Sequence, residues 1–270
     1  MDEKSIGFNS EVSLMESFSL SLHYTKKWFK EVHLITDLKG EGLVKRYGLE
    51  FDHINNDLEK VLKNTKNHYW SLGKIYACKI QDKPFIHIDN DAFLFKRLPN
   101  SFLSADAGFQ HLEASLVAKD SGWYDGFLKH ADSKYKDKPI WFDTKTREAY
   151  NCGLIAFNKL DILEEWWEES LKYINFLEKN IFDWKESTPC IIFEQSNILY
   201  LTRHYNYKVD LLTNYGSPDQ SKLDYIPDDL AEKLGYTHLV GEAKRSPEFE
   251  EGIRKKLLME GINIKNHFFI

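Results

Sequence analysis

Long apolar runs are absent from this sequence. No stretch approaches the ~20 consecutive apolar residues that a membrane-spanning helix requires, and the first ten residues, MDEKSIGFNS, lack the charged and then apolar pattern of a secretory signal. We therefore expect a soluble, cytoplasmic protein without a transmembrane segment, whose contact with a membrane is at most peripheral.

An excess of basic charge is also missing. The chain has 36 Lys and Arg residues against 42 Asp and Glu residues, which gives a formal net charge of −6 at pH 7. Because binding to a phosphate backbone needs a positive field, this balance excludes nucleic acid as an expected partner.

Cysteine is scarce, and the cysteines are not spaced as pairs. Cys78, Cys152 and Cys190 are the three cysteines, they lie far apart in apolar segments, and none belongs to a C-x-x-C pair. We therefore expect neither a disulfide framework nor a cysteine zinc site. We expect the three cysteines to be buried, reduced thiols.

Apolar runs of strand length alternate with segments of helical periodicity along the chain. With 42% hydrophobic residues, the 270-residue chain can bury one large core, so a single domain over residues 1–270 is the default. The alternation predicts an α/β fold with a mostly parallel central sheet flanked by helices. The patterns predict strands at 32–36, 85–88, 150–157 and 236–240, and helices at 11–30, 69–80, 190–201 and 248–260.

Two carboxylates follow the apolar run at residues 85–88. Asp89 and Asp91 are separated by one residue, and in an extended segment such residues point to the same side, where they can serve one hard divalent cation. Ligands of open α/β sheets bind at the carboxyl ends of strands. The pattern predicts a metal site here, and the alternative is that both aspartates only cap the next turn.

A second motif lies near the end of the chain. His238, Gly241 and Lys244 are spaced three residues apart. A neutral imidazole can complete the coordination of Mn²⁺, a glycine lets backbone amides approach an anion, and a lysine supplies a point charge. The alternative is a histidine bonded within the core, a turn glycine and a solvated lysine.

Further polar residues interrupt apolar segments or end them. Glu194 and Gln195 fall within the apolar run 190–199, where burial is costly unless their side chains find partners, as they would in a ligand pocket. The alternative is an internal salt bridge or a position on the helix surface. Lys74 lies on a predicted helix, with an exposed lysine as its alternative, and Asp37 follows a predicted strand, with a cap as its alternative.

Together these motifs resemble the glycosyltransferases of the glycogenin and bacterial lipooligosaccharide galactosyltransferase type, which have the GT-A fold. The resemblance covers residues 30 to 245 and is carried by four blocks in the family's order, and their combination is far more specific than any one of them. These blocks are Asp89-Asn90-Asp91, Asn151-Cys152-Gly153, Glu194-Gln195 and His238…Gly241…Lys244.

The resemblance implies roles for these residues. Asp89, Asp91 and His238 would hold Mn²⁺ or Mg²⁺, while Gly241 and Lys244 would contact the diphosphate of the donor. Glu194 or Gln195 would assist at the anomeric carbon, and Asn151 and Gly153 would line the sugar and acceptor side. Lys74 would contact the donor, and Asp37 would contact the nucleoside.

The activity implied by the resemblance is transfer of a hexose from a nucleotide-diphosphate sugar, preferably a UDP-sugar, to a hydroxyl of a saccharide or glycolipid acceptor, with retention of configuration. The aromatic segment 97–146 would form a wall of the acceptor pocket, and the tail 265–270 would contact either a membrane or its own domain. A glycosidase is disfavoured because Asp89 and Asp91 are too close in sequence to flank a glycosidic bond. A nucleotidyltransferase is disfavoured because no Gly-rich basic loop is present.

The N-terminal residues depart from the family pattern. The first strand of the family should precede residue 11, yet residues 1–10 offer only Ile6 and Phe8 as apolar content. The alternative function is therefore a non-catalytic carbohydrate-binding or interaction protein derived from a transferase.

Overall fold

A computed structural model describes residues 7–63, 65, 66, 69–114, 148–180, 190, 192–213, 231 and 235–264. The chain divides into two compact units. Unit 1 comprises Met1–Lys63, Ile88–Arg97 and Leu223–Ile270, and unit 2 comprises Asn64–His87 and Leu98–Lys222. The single domain expected from the sequence stays a prediction.

Helices and short strands alternate along the described residues. The α-helices are α1 (Glu11–Trp28), α2 (Leu38–Arg46), α3 (Leu58–Val61), α4 (Leu72–Lys79), α5 (Asn100–Ser104), α6 (Leu163–Asn180), α7 (Asn197–His204) and α8 (Pro247–Met259). A π-helix at Ile192–Ser196 precedes α7, and a 3-10 helix at Gly241–Arg245 precedes α8. The strands are β1 (His33–Ile35), β2 (His53–Asn55), β3 (Phe85–Ile88), β4 (Ala92–Leu94), β5 (Ala107–Phe109), β6 (Leu112–Ala114), β7 (Glu148–Tyr150), β8 (Leu154–Phe157), β9 (Val209–Leu211) and β10 (Tyr236–His238).

Helix α1 is the central element of unit 1. It begins at the N-cap Ser10, whose Oγ accepts a hydrogen bond from the Ser13 amide (3.0 Å). Its apolar residues enter two clusters, one with β1, β2 and α2 and one with β4 and α8. Met15 represents the first cluster and Leu20 the second, and both are buried. Helix α1 is therefore covered by apolar neighbours on two sides.

Two strand pairs complete unit 1. Strands β1 and β2 are parallel, and β4 and β10 are antiparallel, with His238 opposite Ala92 in register. This second pairing brings β4, which follows Asp91, beside β10, which ends at His238, although the two strands are far apart in the sequence.

Unit 2 contains a four-stranded sheet in the order β3-β8-β5-β9. Strand β5 is antiparallel to β8 and parallel to β9. Helix α6 packs against α4, the π-helix and α7, and it buries Trp166 and Tyr173 completely. A separate antiparallel pair is formed by β6 and β7.

The architecture is α/β, as the alternation of patterns predicted. The described sheets are small and mixed, whereas a mostly parallel central sheet was expected. The predicted strand at 150–157 is broken into β7 and β8, because Asn151 and Cys152 form a turn between them. All three cysteines are free and buried, which confirms that prediction.

Two expectations fall on parts of the chain that lie outside the described residues. The aromatic segment 97–146 is described only as far as residue 114, and the tail 265–270 is not described. No helix among the described residues has both the length and the apolar character needed to cross a bilayer.

Candidate metal centre

The Asp89-Asn90-Asp91 segment forms a tight turn between β3 and β4. The Ala92 amide donates a hydrogen bond to the carbonyl oxygen of Asp89 (3.1 Å), which closes the turn. Just beyond the β4–β10 pairing, the Leu239 amide donates to the carbonyl oxygen of Asp91 (3.0 Å). The backbone of Asp91 is therefore held by the segment that carries His238.

Asp89, Asp91 and His238 form a compact cluster in unit 1. One ligand atom from each residue lies within 4.8 Å of the others, and His238 Nε2 lies 3.2 Å from Asp91 Oδ1. Asp91 and His238 are buried, with 1% and 7% of their surfaces exposed, and Asp89 is half-buried. Two carboxylates and an imidazole are donors that suit Mn²⁺ or Mg²⁺.

Lys244 joins this cluster from the 3-10 helix. Its Nζ lies against Asp91 Oδ2 as an ion pair, while Oδ2 makes no hydrogen bond of regular geometry within the described part of the chain. Burial raises the pKa of the Asp91 carboxyl, but His238 and Lys244 outweigh burial and hold that pKa below its ordinary value. Asp91 is thus an ionised, buried carboxylate with cationic or polar neighbours, which is what a metal ligand requires.

Gly241 adopts a left-handed backbone conformation at the start of the 3-10 helix. Its φ is +59°, and among the described residues beyond its two chain neighbours no atom lies within 4 Å of the position that a Cβ would occupy. The open space beside its backbone leaves room for a ligand group, and the positive φ favours glycine there.

Two serines on α1 hold the turn that carries the aspartates. Ser17 Oγ donates a hydrogen bond to the carbonyl oxygen of Asn90 (3.1 Å), and Ser21 Oγ donates to that of Asp89 (3.3 Å). Sequence reasoning missed both. The available signal was the repetition of Ser13, Ser17 and Ser21 every four residues, which places small polar groups on one helical face.

The N-terminal residues support the 3-10 helix. Gly7 accepts a hydrogen bond through its carbonyl oxygen from Arg245 Nε (3.2 Å), and Asn9 Nδ2 donates to the carbonyl oxygen of Arg245 (2.9 Å). Phe8 is buried, and Lys244 Nζ lies 5.8 Å from the centre of its ring. In the described residues before α1, the chain therefore braces the loop of Lys244, where the family pattern would place a first strand.

Unit 2 contains its own buried charge pair. Lys74 Nζ lies 2.8 Å from Glu194 Oε1 and donates a hydrogen bond to the carbonyl oxygen of Cys152 (3.0 Å). The side chain of Glu194 is buried and that of Lys74 largely so. Glu194 and Gln195 belong to the π-helix, a geometry often found at functional sites. Glu194 therefore has a partner in an internal salt bridge with Lys74, and Lys74 is not an exposed helical lysine.

Asn151, Gly153 and Asp37 have structural partners. Asn151 is buried, and its Oδ1 accepts a hydrogen bond from the Gly153 amide (3.0 Å) in the turn between β7 and β8. Asp37 is the N-cap of α2, and its Oδ1 accepts a hydrogen bond from the Gly40 amide (2.7 Å). Their proposed sugar and nucleoside contacts stay predictions.

The structure thus brings together the five residues expected at the metal and the diphosphate. Asp89, Asp91, His238, Gly241 and Lys244 all belong to unit 1. The expected residues of unit 2 form a second group, in which Lys74 contacts Glu194 and Asn151 contacts Gly153.

A family model described as "Family of unknown function (DUF6734)" matches residues 1–264. The chain belongs to this family. No curated protein and no solved structure matches it.

Proposed function

We propose that this member of the DUF6734 family is a metal-dependent glycosyltransferase that transfers a hexose from a nucleotide-diphosphate sugar, preferably a UDP-sugar, to a hydroxyl acceptor. The observation that carries the proposal is the cluster of Asp89, Asp91 and His238 with Lys244 against Asp91. These residues come from two motifs that lie far apart in the sequence and that the antiparallel pairing of β4 with β10 brings side by side.

The arrangement suits a reaction in which a diphosphate leaves. The bond between the anomeric carbon and the diphosphate oxygen breaks, the acceptor hydroxyl oxygen bonds to that carbon and releases its proton to solvent, and negative charge grows on the diphosphate. A divalent cation held by Asp89, Asp91 and His238 would neutralise part of that charge. Lys244 would supply a second positive charge, so the leaving group needs no proton donor.

The surrounding backbone favours an anion at the same place. The open space beside Gly241 allows close approach of a phosphate to the start of the 3-10 helix. Ser17 and Ser21 keep the turn of the aspartates in place through its carbonyl oxygens. These features support binding of a metal with a diphosphate and do not depend on which sugar the donor carries.

A GT-A-like fold is part of the proposal. The α/β architecture, the D-x-D turn after β3 and the H-x-x-G-x-x-K segment after β10 support it. Retention of configuration, the saccharide or glycolipid acceptor, and the roles of Asn151, Gly153, Glu194 and Gln195 belong to the same proposal.

The experiment is an assay of UDP release from a panel of UDP-sugars, with and without Mn²⁺ and simple sugar acceptors. We expect Mn²⁺-dependent release that is lost in Asp91→Asn and kept in Asp82→Asn, which changes an exposed aspartate. No release from any UDP- or GDP-sugar, together with no metal-dependent nucleotide binding, would refute the proposal and favour the non-catalytic alternative.

A further inference from the structure

Lys244 stands where a cation would neutralise Asp91. The carboxylate of Asp91 is buried, and the ammonium of Lys244 is its positive neighbour on the Oδ2 side, while His238 lies on the Oδ1 side. A buried carboxylate that loses a close ammonium is costly to leave without that charge. The ion pair therefore stabilises the site when no divalent cation is bound.

A bare divalent cation must compete with this ammonium. Asp91 Oδ2 cannot bind a metal ion while it keeps its ion pair with the Lys244 ammonium, because two positive charges beside one oxygen atom repel each other. Displacing Lys244 without giving it a new anion leaves the lysine charge without its partner. Binding of the metal alone is therefore opposed by the existing pair.

A diphosphate removes this opposition. We propose that Lys244 acts as an internal cation on Asp91, so that the site takes up the divalent metal together with a diphosphate anion and binds the bare ion weakly. The diphosphate offers the Lys244 ammonium an anion in place of Asp91, and it offers the metal further oxygen ligands. The proposal rests on the proposed function and adds to it the form in which the ligand binds.

The surroundings of Lys244 allow this exchange. Its side chain is 20% exposed, it extends from a short 3-10 helix next to the open space at Gly241, and its Nζ is 5.8 Å from the ring centre of Phe8. A lysine has a flexible four-carbon stem and three rotatable donors. Its ammonium can therefore leave Asp91 for a nearby phosphate while the backbone stays in place.

The coupling between the two ligands must be reciprocal. If diphosphate raises the affinity for the metal, then the metal raises the affinity for diphosphate by the same factor. Removal of the lysine charge should weaken this coupling from both sides, because the ammonium is the group that the two ligands share.

The experiment measures binding of Mn²⁺ alone by the loss of its free electron paramagnetic resonance signal. The wild-type chain, Lys244→Gln and Lys244→Arg are compared at one pH, with Lys255→Gln as a control for an exposed lysine in the same unit. We expect Lys244→Gln to bind bare Mn²⁺ about tenfold more tightly than the wild type, a factor typical of coupled sites. Lys244→Arg and Lys255→Gln should stay close to the wild type.

A second arm adds UDP at buffered concentrations of free Mn²⁺. UDP should raise the affinity of the wild type for Mn²⁺ by about tenfold and that of Lys244→Gln by much less. If Lys244→Gln does not fold, the wild type alone still tests the proposal, because Mn²⁺ with UDP should raise its melting temperature and Mn²⁺ alone should not.

Several results would overturn the proposal. They are tight binding of bare Mn²⁺ by the wild type, unchanged or weaker binding of bare Mn²⁺ by Lys244→Gln, and an equal effect of UDP on both chains. These outcomes differ from failure of the proposed function, in which UDP does not bind with Mn²⁺ at all, whatever the variants do with the bare ion.

Discussion

Ser21, in the middle of the first helix, donates a hydrogen bond from Oγ to the carbonyl oxygen of Asp89 at 3.3 Å. Four residues earlier, Ser17 does the same to Asn90 at 3.1 Å. The backbone of the D-x-D turn is thus fixed by a helix that makes no contribution to the proposed set of metal ligands. We therefore expect these serines to act as positioning residues, through which the proposed binding of a metal depends on the turn.

The double substitution Ser17→Ala with Ser21→Ala should lower the free energy of unfolding by about 1 kcal/mol for each lost hydrogen bond. It should also weaken Mn²⁺-dependent UDP binding, measured by calorimetry, because the aspartates lose their fixed spacing. Ser21→Thr, which keeps a hydroxyl, should recover part of that affinity.

Ser19→Ala is the matched control. Ser19 lies on the same helix and is buried, but among the described contacts it makes no hydrogen bond to the turn. Equal loss of nucleotide binding in Ser19→Ala and in the double variant would show that the serines act only through packing of the helix.

Gly241→Ala should destabilise the protein through its backbone. The added methyl group meets no atom of the described residues, but φ is +59° there, and the left-handed conformation costs a non-glycine residue about 1–2 kcal/mol. Gly252→Ala is the control, because Gly252 lies within helix α8 and its added methyl group likewise meets no atom in the part of the chain that the structure describes. It should stabilise the protein by up to about 1 kcal/mol. Equal effects in urea denaturation would contradict the argument.

The sequence predicted the elements of this site better than their pairing. The helix expected at 11–30 is α1 (Glu11–Trp28), and the apolar run 85–88 is β3. Both could be predicted because helical periodicity and continuous apolar runs are local signals in the sequence. Strand β4 was missed, since its three residues are too short to show a period. Its antiparallel pairing with β10 is a long-range contact, which the periodicity of the sequence does not predict.

The same distinction holds for the side chains. The cluster of Asp89, Asp91, His238 and Lys244 was expected from the resemblance to the GT-A glycosyltransferases, whose motifs occur in this sequence in the family's order. The contact of Lys74 with Glu194 could not be predicted, because it depends on how α4 and the π-helix pack. The mixed pairing of β5 with β8 and β9 likewise depends on tertiary contacts, which is why a mostly parallel sheet was expected.

The Lys74–Glu194 pair provides a test of stability in unit 2. Glu194→Gln removes the negative charge that lies 2.8 Å from the largely buried ammonium of Lys74, and breaking a buried pair in this way costs about 3–5 kcal/mol. The control is Lys172→Met, which removes the exposed pair with Glu169 and should cost less than about 1 kcal/mol. Similar losses in the two variants, measured by urea denaturation, would refute the burial argument.

Glu260 gives the stability of unit 1 a dependence on pH. Its carboxylate accepts hydrogen bonds from Lys27 Nζ (2.7 Å) and from the hydroxyl of Tyr24 (2.7 Å). The hydrogen bond from Lys27, with smaller contributions from Tyr24 and His23, lowers the pKa of Glu260 from about 4.5 to about 2. A carboxyl with a lowered pKa in the folded state contributes stability above its ordinary pKa and loses it as the pH falls.

We therefore expect the free energy of unfolding to fall as the pH drops from 4.5 to about 2, and to fall less steeply in Glu260→Gln. The measurement is the urea midpoint as a function of pH. Glu251→Gln, which changes an exposed carboxyl on the same helix, should keep the slope of the wild type. An unchanged slope in Glu260→Gln would contradict the assignment.

The most direct test of the central claim is calorimetric titration of UDP into the protein with and without Mn²⁺, for the wild type and for Asp91→Asn, with circular dichroism to confirm that both are folded. We predict binding that requires Mn²⁺ and is lost in the variant, because Asp91 joins the metal cluster to Lys244. Absence of binding of UDP and then of GDP under both conditions, or binding that neither Mn²⁺ nor the substitution changes, would contradict the account.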